Sequence, residues 1–507
     1  MSQTEIVLPG PLKNRFSVIT VMTIISIALA IAVGVASTSN PFLVLAAVVF
    51  FATAVLFSLL KLPNLIVVLV TFVIYTNTSV VMIKFHGVSP MLGYALPLLL
   101  VFPFLWEVIV NRRPVKVNIV FLLMLMYFSV LLLGSTFSRD ITLAMPGLIN
   151  YATEGLGLYF LLINTIRTPK LLKNVVWSLL IGGAIIGGLS LYQQVTGTFD
   201  NNYWGFAQVT GRGFTAEETL QGAVVQPRVS GPIGEKNRFA QVMLMLVPIG
   251  LFLAWGEQSK RLRFLAFLLT GLAFVGGSLA FSRGAQVGLL LLIVIMAFMR
   301  YIKVRELLII VLGIVLLLVA FPQNALRFGS LGAVFATEDE GGLRSADGAI
   351  QGRYTEMLAA ALVFMDNPIV GVGPGMFSYE MAEYSRIVGL RNIISTREAH
   401  SLYPGVAAET GLLGFITLMS IFIYTLNGLA QARNYWLARN NTPLANLSTG
   451  FFLAIISYMT TGIFLHFAYI RYFWLIIALS VVVSGFRESD LAGELEAVDG
   501  QSGSLKG

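Results

Sequence analysis

Leu307-Leu-Ile-Ile-Val-Leu-Gly-Ile-Val-Leu-Leu-Leu-Val-Ala-Phe321 carries no polar side chain, and it runs directly into Pro322 and a polar insertion that ends in Arg397-Glu398-Ala399-His400-Ser401-Leu402-Tyr403. Another apolar run begins at Pro404. An apolar stretch of this kind beside a long polar one reads as a membrane helix that delivers a loop to one face of a bilayer. The same alternation extends over the whole chain. Of 507 residues, 57% are hydrophobic and only 11% charged, more apolar surface than a soluble domain needs. The runs are continuous instead of alternating, which argues against a β-barrel. The expected fold class is all-α: a polytopic membrane helical bundle of about 12–14 spans, with a long loop containing short helices at one face.

Working outward, the candidate spans are Phe16–Gly34, Pro41–Leu60, Leu62–Ile83, Met91–Val110, Val117–Gly134, Ile141–Ile166, Leu171–Val195, Phe239–Trp255, Phe264–Phe281, Ala285–Met299, Leu307–Phe321, Pro404–Leu429, Leu447–His466 and Tyr472–Gly485. Loop charge sets the orientation. With the N-terminus in the cytoplasm, the inner connections hold Lys13 and Arg15, Lys61, Arg112 with Arg113 and Lys116, Arg167 with Lys170 and Lys173, Lys260 with Arg261 and Arg263, Arg300 with Lys303 and Arg305, Arg433 with Arg439, and Arg487. Every inner connection is then basic, as the positive-inside rule requires, and both termini are cytoplasmic. Met1–Arg15 with Phe16–Gly34 resembles a signal sequence, but the apolar run is longer than a usual h-region and reads as an uncleaved first span. The tail, Arg487–Gly507, is polar and acidic and is expected to be disordered. Basic residues dispersed through short loops also explain the net charge of +8 without nucleic acid. The absence of cysteine excludes disulfides, thiolate-bound metals and a cysteine nucleophile.

Two long loops fall on the outer side, Thr196–Arg238 and Pro322–Tyr403, and connectors of this length favour function over linkage. The first is rich in Gly, Gln, Asn and Thr, with Tyr203 and Trp204. These could hydrogen-bond and stack on sugars, or serve as plain loop chemistry. The second is expected to hold an amphipathic helix from about Gln351 to Met365, ended by Asp366-Asn367-Pro368. Gly371-Val-Gly-Pro-Gly375 lacks the preceding strand of a dinucleotide fingerprint and reads as a tight turn.

Outer-face arginines at span ends are the anomaly under the positive-inside rule. Arg238, Arg283 and Arg471 occupy such places, and a cation at that depth needs a partner. A lipid diphosphate would suit the planar guanidinium fork; snorkelling to headgroup phosphates is the bland alternative. His86, His400 and His466 are all expected on the same side. His400, in a charged loop just before a span, has the better position for a general base, although a bland loop histidine reads the same way. His466 reads as a packed interface residue. Their spacing supports no metal site. Glu409 could converge on His400 across the break at Pro404 and Gly405, or simply favour a positive helix end.

Four segments together resemble the O-antigen ligase and O-antigen polymerase family. They are Ser230-Gly-Pro-Ile-Gly-Glu-Lys-Asn-Arg-Phe-Ala240, Leu279-Ala-Phe-Ser-Arg-Gly-Ala285, Gly352-Arg353 through Asn367-Pro-Ile-Val-Gly-Val-Gly-Pro-Gly-Met-Phe377, and His400-Ser-Leu-Tyr403 followed by Glu409-Thr-Gly-Leu-Leu-Gly414. The match covers about 230–414. The resemblance implies a GT-C-like helical fold and a metal-independent, inverting glycosyltransferase without cofactors. It would move a glycan from undecaprenyl diphosphate to lipid A-core or another acceptor hydroxyl, at the periplasmic face of the bacterial inner membrane. It further implies that Arg283 binds the diphosphate and that His400 is the base or a positioning residue, with Arg238 and Arg353 as further diphosphate ligands and Glu409 as support. The expected organisation is an N-terminal membrane part over 1–229, a ligase-like region over 230–430 containing the loop 322–403, C-terminal membrane helices over 431–486, and the tail 487–507. A repeat-unit polymerase shares the leaving group and is the first alternative. A transporter or flippase would need ionisable residues or broken helices at mid-membrane, for which Glu154 and the Pro146-Gly147 break are the hints. A glycan-binding assembly component without catalysis is the last.

Overall fold

The computed structural model describes residues 62–90, 97–210, 214–219, 222–324, 348–389, 397–467 and 470–504. The expected spans Phe16–Gly34 and Pro41–Leu60 lie outside the described residues, as does the start of Met91–Val110.

The described helices are α1 (Pro63–Tyr75), α2 (Thr78–His86), α3 (Ile119–Phe137), α4 (Ile141–Asn150), α5 (Leu158–Thr165), α6 (Pro169–Thr196), α7 (Lys236–Gly256), α8 (Lys260–Ser278), α9 (Arg283–Phe298), α10 (Val304–Ala320), α11 (Gly348–Asp366), α12 (Phe377–Val388), α13 (Leu402–Ala438), α14 (Thr442–Gly462) and α15 (Ile470–Ser504), with shorter turns between them. Their starts are written locally in the sequence. Asn118, Thr168, Glu235, Ser282 and Asn441 each turn a side-chain oxygen onto a first-turn N–H, and Pro169 and Pro443 sit in the first turn where their missing N–H costs nothing.

Seven of these helices are long and apolar enough to cross a membrane, or eight if α1 and α2, bent by 57° at Thr76-Asn77, form one broken span. The chain is therefore a multi-pass, all-α membrane protein, with fewer full-length spans among the described residues than the sequence suggested. The reasons are physical. Ile141–Ile166 is interrupted by a π-helical stretch, Tyr151–Gly157. The α9 and α10 helices are 16 and 17 residues long, short of the roughly 20 needed to cross. On α10 only Leu317 is buried, while Leu308, Leu312 and Val319 face outward, as on a helix meeting lipid.

Helices α7 and α14 form the centre of the bundle, and most of their residues are buried. Around them pack α6, α8, α13 and α15. The α6–α8 crossing is closed by glycine: a Cβ on Gly276 would stand 2.3 Å from the Gly187 Cα, the close backbone approach that small residues give membrane helices.

Two local features depart from expectation. The first long loop contains short antiparallel ladders, β1 (Gln208–Val209) with β4 (Val229–Gly231) and β2 (Phe214–Thr219) with β3 (Gly222–Gln226). The tail, expected as disordered, continues α15 to Ser504; Leu491-Ala-Gly-Glu-Leu-Glu-Ala497 is made mostly of good helix formers.

The polar insertion does not hang free. Helices α11 and α12 pack on each other, and both contact α13. α11 ends at Asp366, where Asn367-Pro368 was expected to stop it. The next turn lays backbone on backbone. Val372 N–H donates to the Ala408 carbonyl and Gly373 N–H to that of Glu409, while Leu412 N–H donates to the Pro368 carbonyl. Contact this close admits no side chain. A Cβ on Gly371 or on Gly411 would lie 2.3 Å from the opposing main chain, and Gly411 (φ 61) breaks α13 at that point. Gly371-Val-Gly-Pro-Gly375 and Glu409-Thr-Gly411 are thus two halves of one docking joint.

Candidate active site

The joint holds His400 against the end of the bundle. His400 is the last residue but one before α13, and it adopts φ 45, a left-handed conformation that a non-glycine residue keeps only when its surroundings impose it. Its Nδ1 lies 2.7 Å from Glu356 Oε2 and 3.1 Å from the Glu398 carbonyl oxygen. Both neighbours are acceptors, which places a proton on Nδ1; in the ring's neutral form Nε2 is then the acceptor.

Glu356 comes from α11 and is buried, 1% exposed. A carboxylate at that depth needs partners, and it has His400 on one side and Arg397 Nη1 at 3.4 Å on the other. Sequence reading missed it. The signal was present: Glu356 shares the i, i+3, i+4, i+7 face with Ala359, Ala360 and Val363, all buried. It is a lone carboxylate on an apolar stripe.

Ser378, Tyr379, Arg397, Glu398, His400 and His466 line a cleft of about 470 Å³. The His400 and His466 rings meet edge to face, 6.0 Å apart. They differ in surroundings. His466 Nδ1 is buried without a hydrogen-bond partner among the described residues, and burial, then the nearby Arg238 and His400, push its imidazole well below the usual histidine range. It stays neutral and walls the cleft. Burial raises the Glu398 carboxyl, a shift opposed by Arg238 and His400.

Arg238 is 2% exposed on the first turn of α7 and donates to Gln241 Oε1, which in turn is held by Thr461 of α14. Its charge reaches Glu398 and His466, so Arg238 and His400 belong to one electrostatic neighbourhood. Arg283 opens α9 next door. The buried Arg228 donates to the Ala280 and Phe281 carbonyls and to Asn237, tying the α8–α9 turn to the start of α7. Gly284 packs on Phe464, two residues before His466. The Arg283 Nε is buried with no hydrogen-bond partner among the described residues. Arg353 lies one turn before Glu356 on α11. Glu409 does not reach toward His400: its carboxylate accepts the Gly375 and Phe377 N–H groups at the start of α12, which makes it a strut of the docking joint.

Glu154, the mid-membrane hint of a transporter, lies 3.2 Å from Arg471. The π-helical stretch turns it there, with Gly155 packed on Trp474. Arg471 therefore has an internal partner. No group of three or more His, Asp or Glu that could hold a metal occurs among the described residues.

The fold and cleft define a class: a multi-pass helical membrane protein whose polar insertion closes a histidine- and arginine-lined cleft at one end of the bundle. Residues 265–419, about a third of the chain, match the family model described as O-antigen ligase, a similarity that supports a membrane enzyme of the O-antigen ligase and polymerase type. The matched stretch contains Arg283, Arg353, Glu356, His400 and Glu409, while Arg238 and His466 lie outside it. No curated protein matches the chain.

Proposed function

We propose that this protein transfers a glycan from an undecaprenyl-diphosphate donor to an acceptor hydroxyl at the periplasmic face of the inner membrane, as an O-antigen ligase does. The observation that carries this reading is the Glu356–His400 contact at 2.7 Å, at the wall of an open cleft lined by Arg397 and His400, with the Arg238 charge reaching Glu398 and His466 behind it. Glu356 holds the Nδ1 proton in place, so Nε2 faces the acceptor and takes its hydroxyl proton. The acceptor oxygen then forms a bond to the anomeric carbon from the side opposite the phosphate, which inverts the configuration. The carbon–oxygen bond to the diphosphate breaks, and its electron pair leaves with the lipid diphosphate. Arg283 and Arg238, with Arg353 in support, meet the charge that grows on the leaving oxygens. Three helices, α7, α9 and α13, begin at this end of the bundle and turn their positive ends the same way. The chemistry asks for no metal and no cofactor. An acceptor that is itself lipid-linked would make the same step a polymerisation.

Transfer of a defined lipid-linked oligosaccharide by the purified protein, with and without EDTA, tests this reading. Activity should survive EDTA and fall sharply in both His400→Ala and Arg283→Ala. Near-normal transfer in the two variants would overturn the assignment.

A further inference from the structure

A second cleft of about 470 Å³ lies on the other side of α12, outside the proposed catalytic machinery. It is lined by the end of α3 and the following turn (Phe137, Arg139), by 367–372, and by Glu380 and Tyr384 of α12. At 3.6 residues per turn, Glu380 and Tyr384 lie about 100–160° around the helix from Ser378 and Tyr379, so one helix contributes to the walls of both clefts.

We propose that this second cleft is a binding subsite for neutral sugar units of the glycan. The inference rests on the reading of the chain as a glycan-transferring enzyme. Three observations carry it. Arg139 Nη1 and Glu380 Oε1 stand 3.9 Å apart, beyond hydrogen-bond range, so each keeps bonding capacity for a ligand. A sugar hydroxyl, both donor and acceptor, bridges such a pair, whereas a phosphate would meet the Glu380 and Asp366 carboxylates. The Tyr384 hydroxyl donates to Asp366 Oδ2 at 2.7 Å, and its pKa is pushed up to about 12, first by burial and then by that carboxylate; it remains a protonated, oriented phenol at the cleft wall. Phe137 is 75% exposed at the cleft mouth, an aromatic face open to the C–H side of a pyranose. A volume of this size with a few placed polar groups and an aromatic wall is that of a small-ligand site. The wall it shares with the first cleft would let one glycan reach past α12 from the subsite to the reacting hydroxyl.

The test is binding by the full-length protein in detergent, with two probes: neutral oligosaccharides released from the producing cell's own surface glycan, and inorganic pyrophosphate. The wild type should bind the oligosaccharides. Phe137→Ala and Glu380→Gln should each weaken that binding roughly tenfold, Phe137→Trp should retain it, and pyrophosphate affinity should stay the same in all three. Oligosaccharide affinity unchanged in Phe137→Ala and Glu380→Gln would reduce Phe137 to an anchor at the membrane interface and overturn the proposal, as would no oligosaccharide binding by the wild type. Loss of the catalytic reading is a separate outcome, seen as full transfer by His400→Ala, and it leaves the binding result standing.

Discussion

The two clefts flanking α12 are alike in size and opposite in chemistry. One gathers His400, His466 and Arg397 around the buried Glu356, with Arg238 close by. The other sets Glu380 and the Asp366-bound Tyr384 hydroxyl against Arg139 beside an exposed aromatic ring. A transferase for a lipid-linked glycan has both problems to solve. In the proposed transfer it must hold a diphosphate that gains negative charge as it leaves while deprotonating a hydroxyl, and it must hold neutral sugar. Cations with a polarised imidazole suit the first task, and mixed donors and acceptors with an aromatic face suit the second.

The contrast between the clefts can be broken at several points. The largest effect is expected on the cationic side: His400→Ala should lower the transfer rate by about 10²–10⁴, the usual worth of a positioned general base, with little change in oligosaccharide binding. Arg283→Ala should cost about 10²–10³ in rate, as loss of a donor to a developing anion does. Gly411→Ala attacks the joint on which both clefts depend. The added methyl meets the Ile369 main chain, and the strain, on the order of 1–3 kcal/mol, should lower the melting temperature and impair transfer and sugar binding together. Phe137→Ala should touch only sugar binding, by roughly tenfold. The smallest effect is a pH dependence. Burial depresses the folded-state pKa of His466 below its unfolded value, so its contribution to stability is complete above about pH 6.5 and is lost as pH falls toward the folded pKa. Thermal melts of His466→Gln should show a flatter pH profile below about 6.5 than the wild type.

Much of this was legible in the chain. The apolar runs pointed to the membrane bundle, and Asp366-Asn367-Pro368 marked the end of α11. Arg283 stood out as an outer-face cation at a span end, and His400 as an imidazole in a charged loop just before a span. Other parts were not legible, for physical reasons. Glu356 precedes His400 by a whole helix and a loop, and spacing along the chain says nothing about a contact made by folding back. Gly371-Val-Gly-Pro-Gly375 looked like a turn because its partner, the main chain at Glu409–Gly411, is itself a break inside an apolar run. Glu409 read either as a companion of His400 or as a carboxylate at a positive helix end, and its carboxylate turns to the N–H groups of Gly375 and Phe377. The β2–β3 hairpin was hidden in a polar stretch whose composition suits a loop equally well.

The central claim is that His400 works through Glu356. A double-mutant cycle on single-turnover transfer, with Glu356→Gln, His400→Ala and the pair combined, tests it most directly. Residues acting as one unit lose their effect once: Glu356→Gln should slow transfer in the wild-type background and change almost nothing once His400 is alanine. If the two losses simply multiplied, Glu356 and His400 would be acting independently, which contradicts a shared proton-handling unit.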